Sequence, residues 1–179
     1  MPTALTEQFR QESPEVYYAP PGFIAIGDAE IDWLIARAAL LPRRRSRLCL
    51  HKDPQAPVHE MLIVHHRSCY VRPHRHFARS ETLSILRGMA TAVLFEEEGS
   101  VRELVPLGAA GGGRVSVYRM PPLLFHGLVI ESEWLIFLET TTGPFNSQGS
   151  EFSSWSPDGQ NEAETGSYVQ ILRQSVSAA

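Results

Sequence analysis

His74 and His76 stand two residues apart in Pro73-His74-Arg75-His76, and Glu81 follows five residues later. Alternate residues of a β-strand point to the same face, with Cα atoms about 6.6 Å apart at ~3.3 Å rise per residue. Two imidazoles at that spacing can converge on one ion through metal–nitrogen bonds of roughly 2.0–2.1 Å, while Arg75 faces the other way. Glu81 opens the run Glu81-Thr-Leu-Ser-Ile-Leu-Arg-Gly88. As a strand, this run puts Glu81, Leu83 and Ile85 on one interior face, where a carboxylate is costly without a compensating cation. His126, after Met120-Pro121-Pro122, opens another strand-like run with Leu128 and Ile130 in phase. A His-x-His pair alone is weak evidence, since exposed strands carry such pairs by chance. Three imidazoles and one carboxylate suit Fe(II), Mn(II), Ni(II), Co(II) or Zn(II), and leave open positions on an ion that prefers five or six ligands.

Other side chains are placed to shape a pocket around such an ion. Arg72 and Arg79 flank the histidine pair, and Tyr70 and Glu139 are within reach of the interior. Arg43, Arg45 and Arg47 offer planar forks that match a phosphate or carboxylate; a solvated basic turn is the plain alternative. His51 is either a pocket residue or a hydrogen-bonded structural histidine. His59, His65 and His66 have no ligand-like spacing, and surface or strand-face roles are expected for them. No nucleophile elbow, phosphate loop or Cys-x-x-Cys motif occurs. Cys49 and Cys69 read as buried free thiols in a reduced cytoplasm.

The elements that must position these residues fall into three zones. In residues 1–45, Ile31, Leu34, Ile35, Ala38 and Leu41 have helical spacing, with Asp28 as the expected N-cap and Pro42 as the stop. In residues 46–145, short apolar or alternating segments recur between turns: 60–66, 68–71, 82–87, 90–95, 101–107, 114–119, 127–130 and 134–139. That spacing predicts an antiparallel sandwich or barrel, with a hairpin turn at Glu97-Glu98-Gly99-Ser100 and a tight loop over Gly108–Gly113. Residues 146–179 are polar and acidic, and Phe152, Trp155, Tyr168, Ile171 and Leu172 are expected to pin this extension onto the barrel.

The bulk composition fits one domain. The chain has 179 residues, 43% hydrophobic and 20% charged, which is globular rather than disordered. A formal charge of -4 argues against nucleic acid as a partner. No apolar run reaches membrane-spanning length, since Ile31–Leu41 is broken by Asp32 and Arg37. The N-terminus shows no basic stretch followed by an apolar one, so no signal peptide is expected.

Pro73-His74-Arg-His76-Phe-Ala-Arg-Ser-Glu81, followed after six residues by Gly88, resembles the first motif of the cupins, and Pro121 with His126 resembles their second. Leu123 stands where that second motif usually has glycine, and Ile130 where it usually has asparagine. A longer resemblance, to the WbuC family of cupin-fold metalloproteins, runs over about residues 28–172. It is carried by Pro42-Arg43-Arg-Arg45-Ser-Arg47-Leu-Cys-Leu50-His51, Met61-Leu62-Ile63, Ser68-Cys-Tyr70-Val71-Arg72-Pro73-His74-Arg75-His76, Gly143-Pro144-Phe145 and Phe152-Ser-Ser-Trp155-Ser-Pro157. Ser84 and Cys49 depart from the residues expected there, histidine and asparagine. The resemblance implies a single all-β cupin domain over 1–179, a double-stranded β-helix (jelly-roll barrel) with a short N-terminal helix and a C-terminal extension. It implies one divalent metal on His74, His76, Glu81 and His126. It also implies a link to bacterial surface-polysaccharide metabolism and, by analogy with cupins, a homodimer. Three functions stay open: a metal-dependent isomerase or oxygenase for a small polar or saccharide-related molecule, a non-catalytic ligand-binding or sensing module, and a scaffold with a vestigial site.

Overall fold

The computed structural model describes residues 5–146 and 148–178; the first four residues of the N-terminal stretch read for a signal peptide lie outside them. A 3-10 turn at Leu5–Gln8 precedes strands β1 (Arg10–Ser13) and β2 (Val16–Tyr18) and helix α1 (Asp28–Ala39). Strands β3 (Arg45–Cys49), β4 (Val58–His66), β5 (His74–His76), β6 (Glu81–Arg87), β7 (Met89–Phe95) and β8 (Val101–Gly108) follow. The chain continues with β9 (Val117–Met120), β10 (Phe125–Ile130), β11 (Trp134–Thr142), β12 (Ser150–Phe152) and helix α2 (Glu162–Ser177). The strands form a seven-stranded sheet, β1-β2-β3-β4-β11-β6-β9, and a five-stranded sheet, β12-β5-β10-β7-β8. From β4 to β11 the chain passes back and forth between the two sheets, closing a barrel. This is the double-stranded β-helix of the cupin fold.

The pattern of burial explains why these sequences become these strands. On β4, Met61 and Ile63 enter the barrel core with Leu83, Ile85, Leu135 and Phe137. Leu62 and Val64 point the other way and pack with Ile136 beneath Ile31, Leu34 and Ala38 of α1. The outer face of the five-stranded sheet presents Val93, Phe95, Phe125 and Val129, covered by Trp155 and by Leu172 and Val176 of α2. Each fully buried large aliphatic side chain contributes about 1.5–3 kcal/mol relative to exposure, which holds α1 through Ile31 and Leu34, whereas α2 rests on the partly buried Leu172 and Val176.

Several local expectations are corrected. The N-cap of α1 is Gly27, whose N–H donates to the Glu30 carboxylate at 2.8 Å; Asp28 lies inside the helix and pairs with Arg87 at 2.7 Å. Residues 68–71 form a loop rather than a strand, because Cys69 N–H turns back onto His66 O at 2.8 Å. The strand expected over 114–119 shortens to β9, with an isolated bridge between Leu107 and Val115. Helix α2 was not anticipated; the Asn161 side chain caps it by accepting the N–H groups of Ala163 and Glu164. Trp155 and Leu172 do pack against the barrel, whereas Phe152 and Ile171 are more than half exposed. Both cysteines are buried and unpaired. Among the described residues no helix is long and apolar enough to cross a membrane.

Candidate metal centre

Strands β5 and β10 are neighbours, and their single paired position sets His74 opposite His126. His76 shares β5, and Glu81 begins β6 in the other sheet, between Thr141 and Met120. The two sheets thus close on each other at one end of the barrel through these four side chains. Their donor atoms all lie within 4.8 Å of one another. Glu81 Oε2 is 3.0 Å from His76 Nε2, and Glu81 Oε1 is 2.9 Å from His126 Nε2. With bonds near 2.1 Å, adjacent donors of an octahedral ion stand about 3.0 Å apart and opposite ones about 4.2 Å. Two pairs therefore already have the spacing of adjacent ligands, and the widest pair need close only by a fraction of an ångström.

The hydrogen bonds behind the ligands fix their tautomers. His74 Nδ1 donates to Arg72 O at 2.9 Å, and His126 Nδ1 donates to Leu124 O at 2.8 Å. His76 Nδ1 lies 2.7 Å from Ser150 Oγ, with Arg79 3.3 Å from both atoms. Without an ion, Nε2 of His76 and of His126 face the Glu81 carboxylate; to bind one, each histidine carries its proton on Nδ1, where Arg72 O, Leu124 O and Ser150 Oγ can accept it and Arg79 bonds Ser150 Oγ alone. His126 Nε2 is buried and faces Glu81 Oε1 at 2.9 Å, a contact that a shared ion would replace. The four residues fit a divalent metal.

The departure at Leu123 is resolved by its backbone. Leu123 has φ +68, the left-handed conformation natural to the glycine usual there, and its N–H donates to His76 O at 2.8 Å. The leucine form costs about 1–2 kcal/mol, but the turn still delivers His126 in register with His74. Ile130, in place of asparagine, is buried in the barrel core.

The site's electrostatics follow from burial and crowding. Burial, together with the neighbouring His126, pushes the His74 pKa down to about 4. Burial alone would raise the Glu81 pKa, but hydrogen bonds from His126 and His76 outweigh it and hold the group far below the usual carboxylate range. Burial opposes protonation of His126, yet its contact with Glu81 raises its pKa. Glu139, on β11 behind the cluster, is pushed up to about 8 by burial and by the charge of Glu81.

The cluster opens into a cavity of about 940 Å³. Of the pocket candidates, Tyr70, Arg72, Glu139, Arg43 and Arg45 line it. Tyr70 O–H donates to Pro157 O at 2.9 Å, and Arg72 donates to Ser153 O at 2.7 Å while lying over the Phe152 ring. Arg43 binds Glu15 through two N–H groups at 2.7 and 2.6 Å, and Arg45 binds the same carboxylate at 3.2 Å. The structure does not bring His51 to the cavity. Its ring stacks on His59 at 4.1 Å and hydrogen-bonds the Glu60 backbone. Glu15, Tyr118 and His65 are among the lining residues outside the sequence-derived set. His65 faces inward beside Phe137, opposite Arg45 across the strand pair, and burial with the nearby Arg45 charge lowers its pKa to about 3. Tyr118 is paired with Leu83, and its hydroxyl is kept protonated by burial and by Glu81.

Residues 26–107 match a protein family described as a domain of unknown function (DUF6016), a little under half of the chain. No curated protein matches the sequence. Among solved structures, a conserved protein with a double-stranded β-helix domain from Klebsiella pneumoniae is 16% identical, with 61% of this chain and 79% of that one aligned at a TM-score of 0.47. A Shewanella oneidensis protein is 14% identical over 69% of this chain and 78% of its own, with a TM-score of 0.49. KdgF from a Halomonas species is 16% identical over 61% and 86%, with a TM-score of 0.44. Likeness at this level bears on neither activity nor ligand, and the fold assignment rests on the strand order itself.

Proposed function

We propose that this chain is a cupin metalloprotein of the WbuC type. In this reading it holds one divalent metal through His74, His76, Glu81 and His126, and carries out isomerase- or oxygenase-type chemistry on a small polar molecule. The saccharide-related substrate class and the place in bacterial surface-polysaccharide metabolism follow the sequence resemblance. One observation carries the reading: the four donor atoms converge at the wall of a roomy cavity that five arginines also line, whereas purely structural sites are closed by their own ligands. When bound, a divalent ion there supplies Lewis-acid polarisation of a ligand oxygen or acidifies a water. The chain's own groups divide the remaining work. Glu139, whose carboxyl is pushed up by burial and by the Glu81 charge, lines the cavity and can give a proton to a ligand oxygen or take one from it. Tyr118 adds a neutral hydroxyl donor, and Arg79 with Ser150 orients His76. The test is product formation from a panel of sugar and sugar-derivative substrates by metal-loaded protein, with Glu139→Gln beside it. Turnover that falls at least about tenfold in Glu139→Gln supports the reading. Thermal stabilisation by a panel member without product at full metal loading identifies a binding module instead.

A further inference from the structure

Five arginines line the cavity and fall into two groups. Arg43 and Arg45 share the single carboxylate of Glu15. Arg47, Arg72 and Arg79 have no carboxylate partner among the described residues. Arg47 makes one side-chain contact, 4.0 Å to Met61 Sδ; Arg72 reaches a backbone carbonyl; Arg79 reaches Ser150 and His76. The Nε atoms of Arg72 and Arg79 are buried with no partner in the protein. A buried unpaired donor is expensive, and a donor already carrying a positive charge is best satisfied by an anion.

The lining carboxylates do not offset these cations. Glu15 is engaged by Arg43 and Arg45, and Glu81 belongs to the metal cluster. Asp158 and Glu162 are exposed at the rim. The charges of both Arg47 and Arg79 act on Glu139, drawing its carboxyl toward ionisation against its burial. The lining holds five arginines and five carboxylates, so with a divalent ion in place the cavity is net positive even with every carboxylate charged.

We propose that the molecule taken by this cavity is an anion, a sugar acid or a sugar phosphate in class, whose carboxylate or phosphate is held by Arg47 and Arg79 beside the metal centre. The proposal rests on the reading of the cavity as a small-molecule site at a metal. Arg47 approaches from β3 in the seven-stranded sheet and Arg79 from the turn between β5 and β6. The acidic group would therefore sit next to Glu139, with the rest of the molecule extending toward the ion.

The experiment is calorimetry on manganese-loaded protein with three probes that share a sugar ring: glucuronate, glucose 6-phosphate and glucose. At least one anionic probe is expected to bind roughly tenfold or more tightly than glucose, and which of the two does so separates a carboxylate ligand from a phosphate ligand. Arg47→Gln is the decisive variant, because the side chain makes only the sulfur contact and its loss leaves the fold and the metal ligands in place. It should keep wild-type manganese content and lose most of the anion preference; Arg79→Gln, which also touches the Ser150–His76 pair, should lose the preference as well. Glucose binding as tightly as the anions, no probe binding the loaded protein, or an undiminished preference in Arg47→Gln each overturns the proposal. Anion preference in a protein that retains no manganese would instead overturn the metal reading and leave the anion site standing.

Discussion

Gly88 and Gly111 share a backbone conformation, φ +89 at each, but not surroundings. A Cβ at Gly88 would stand 2.3 Å from Trp134 O, 2.5 Å from Ser132 Oγ and 3.2 Å from Leu135 Cα, whereas at Gly111 it would meet nothing within 4 Å. Gly111→Ala thus carries only the backbone term, about 1–2 kcal/mol, partly offset by the stiffer unfolded chain, ~0.4–1 kcal/mol. Gly88→Ala carries the same term and must also displace the start of β11, where Leu135 is fully buried. Overpacking of that kind costs about 1–3 kcal/mol more. For a chain of this length each kcal/mol moves Tm by about 2–4 °C, so Gly88→Ala should melt about 2–12 °C below Gly111→Ala. Differential scanning calorimetry of the two metal-free variants measures the difference directly. Equal melting temperatures would mean that the glycine between β6 and β7 is required for its dihedral alone, and that the close approach of β11 does not constrain the turn that follows β6, the strand carrying Glu81.

Four further outcomes follow from the same geometry. Leu123→Gly should raise stability by up to about 1 kcal/mol in urea denaturation, because a 58% exposed side chain is given up and left-handed strain is relieved; destabilisation would place the leucine's value in contacts. A divalent metal at 100 times its Kd should add about 2.7 kcal/mol to wild-type stability, a Tm rise of about 5–11 °C. Most of that rise should vanish in Glu81→Gln, and an unchanged rise would remove Glu81 from the ligand set. His65 is neutral when folded, with a pKa of about 3 against ~6.5 unfolded. Its contribution is therefore present above pH ~6.5 and lost as pH falls toward 3, at about 1.4 kcal/mol per pH unit. In metal-free protein, His65→Leu should flatten the fall in urea midpoint between pH 6 and 4, and an identical fall would show that His65 is protonated in the fold. Burial raises the pKa of both Cys49 and Cys69, so neither thiol should react with a thiol-selective reagent near neutral pH before unfolding.

The legible parts of the fold were those with one wet face or a fixed motif. The alternation of Glu81-Thr82-Leu83-Ser84-Ile85 survives as a strand burying Glu81, Leu83 and Ile85, and Arg75 does point outward, to Glu97 and Glu151. β4 was legible as a strand but not as an orientation. α1 covers its outer face, so Leu62 and Val64 are as apolar as Met61 and Ile63, and nothing in the sequence shows that His65 turns inward. The register with β3 and β11 decides that, and it is a long-range property. α2 was missed because Gly166 and its serines dilute the helical signal, although Asn161 before Glu164 was a readable cap. The arginine run was ambiguous because it straddles a boundary: Arg43 lies before β3, while Arg45 and Arg47 lie on it and line the cavity.

The central claim is tested most directly by metal content. Wild-type protein and the single variants His74→Ala, His76→Ala, Glu81→Ala and His126→Ala would be loaded with one divalent metal, dialysed and assayed by elemental analysis, with circular dichroism confirming the barrel. One equivalent per chain in the wild type, and a clear loss in each variant, is the expected result. A wild type that retains no metal under any loading condition, or variants that keep a full equivalent, would contradict it.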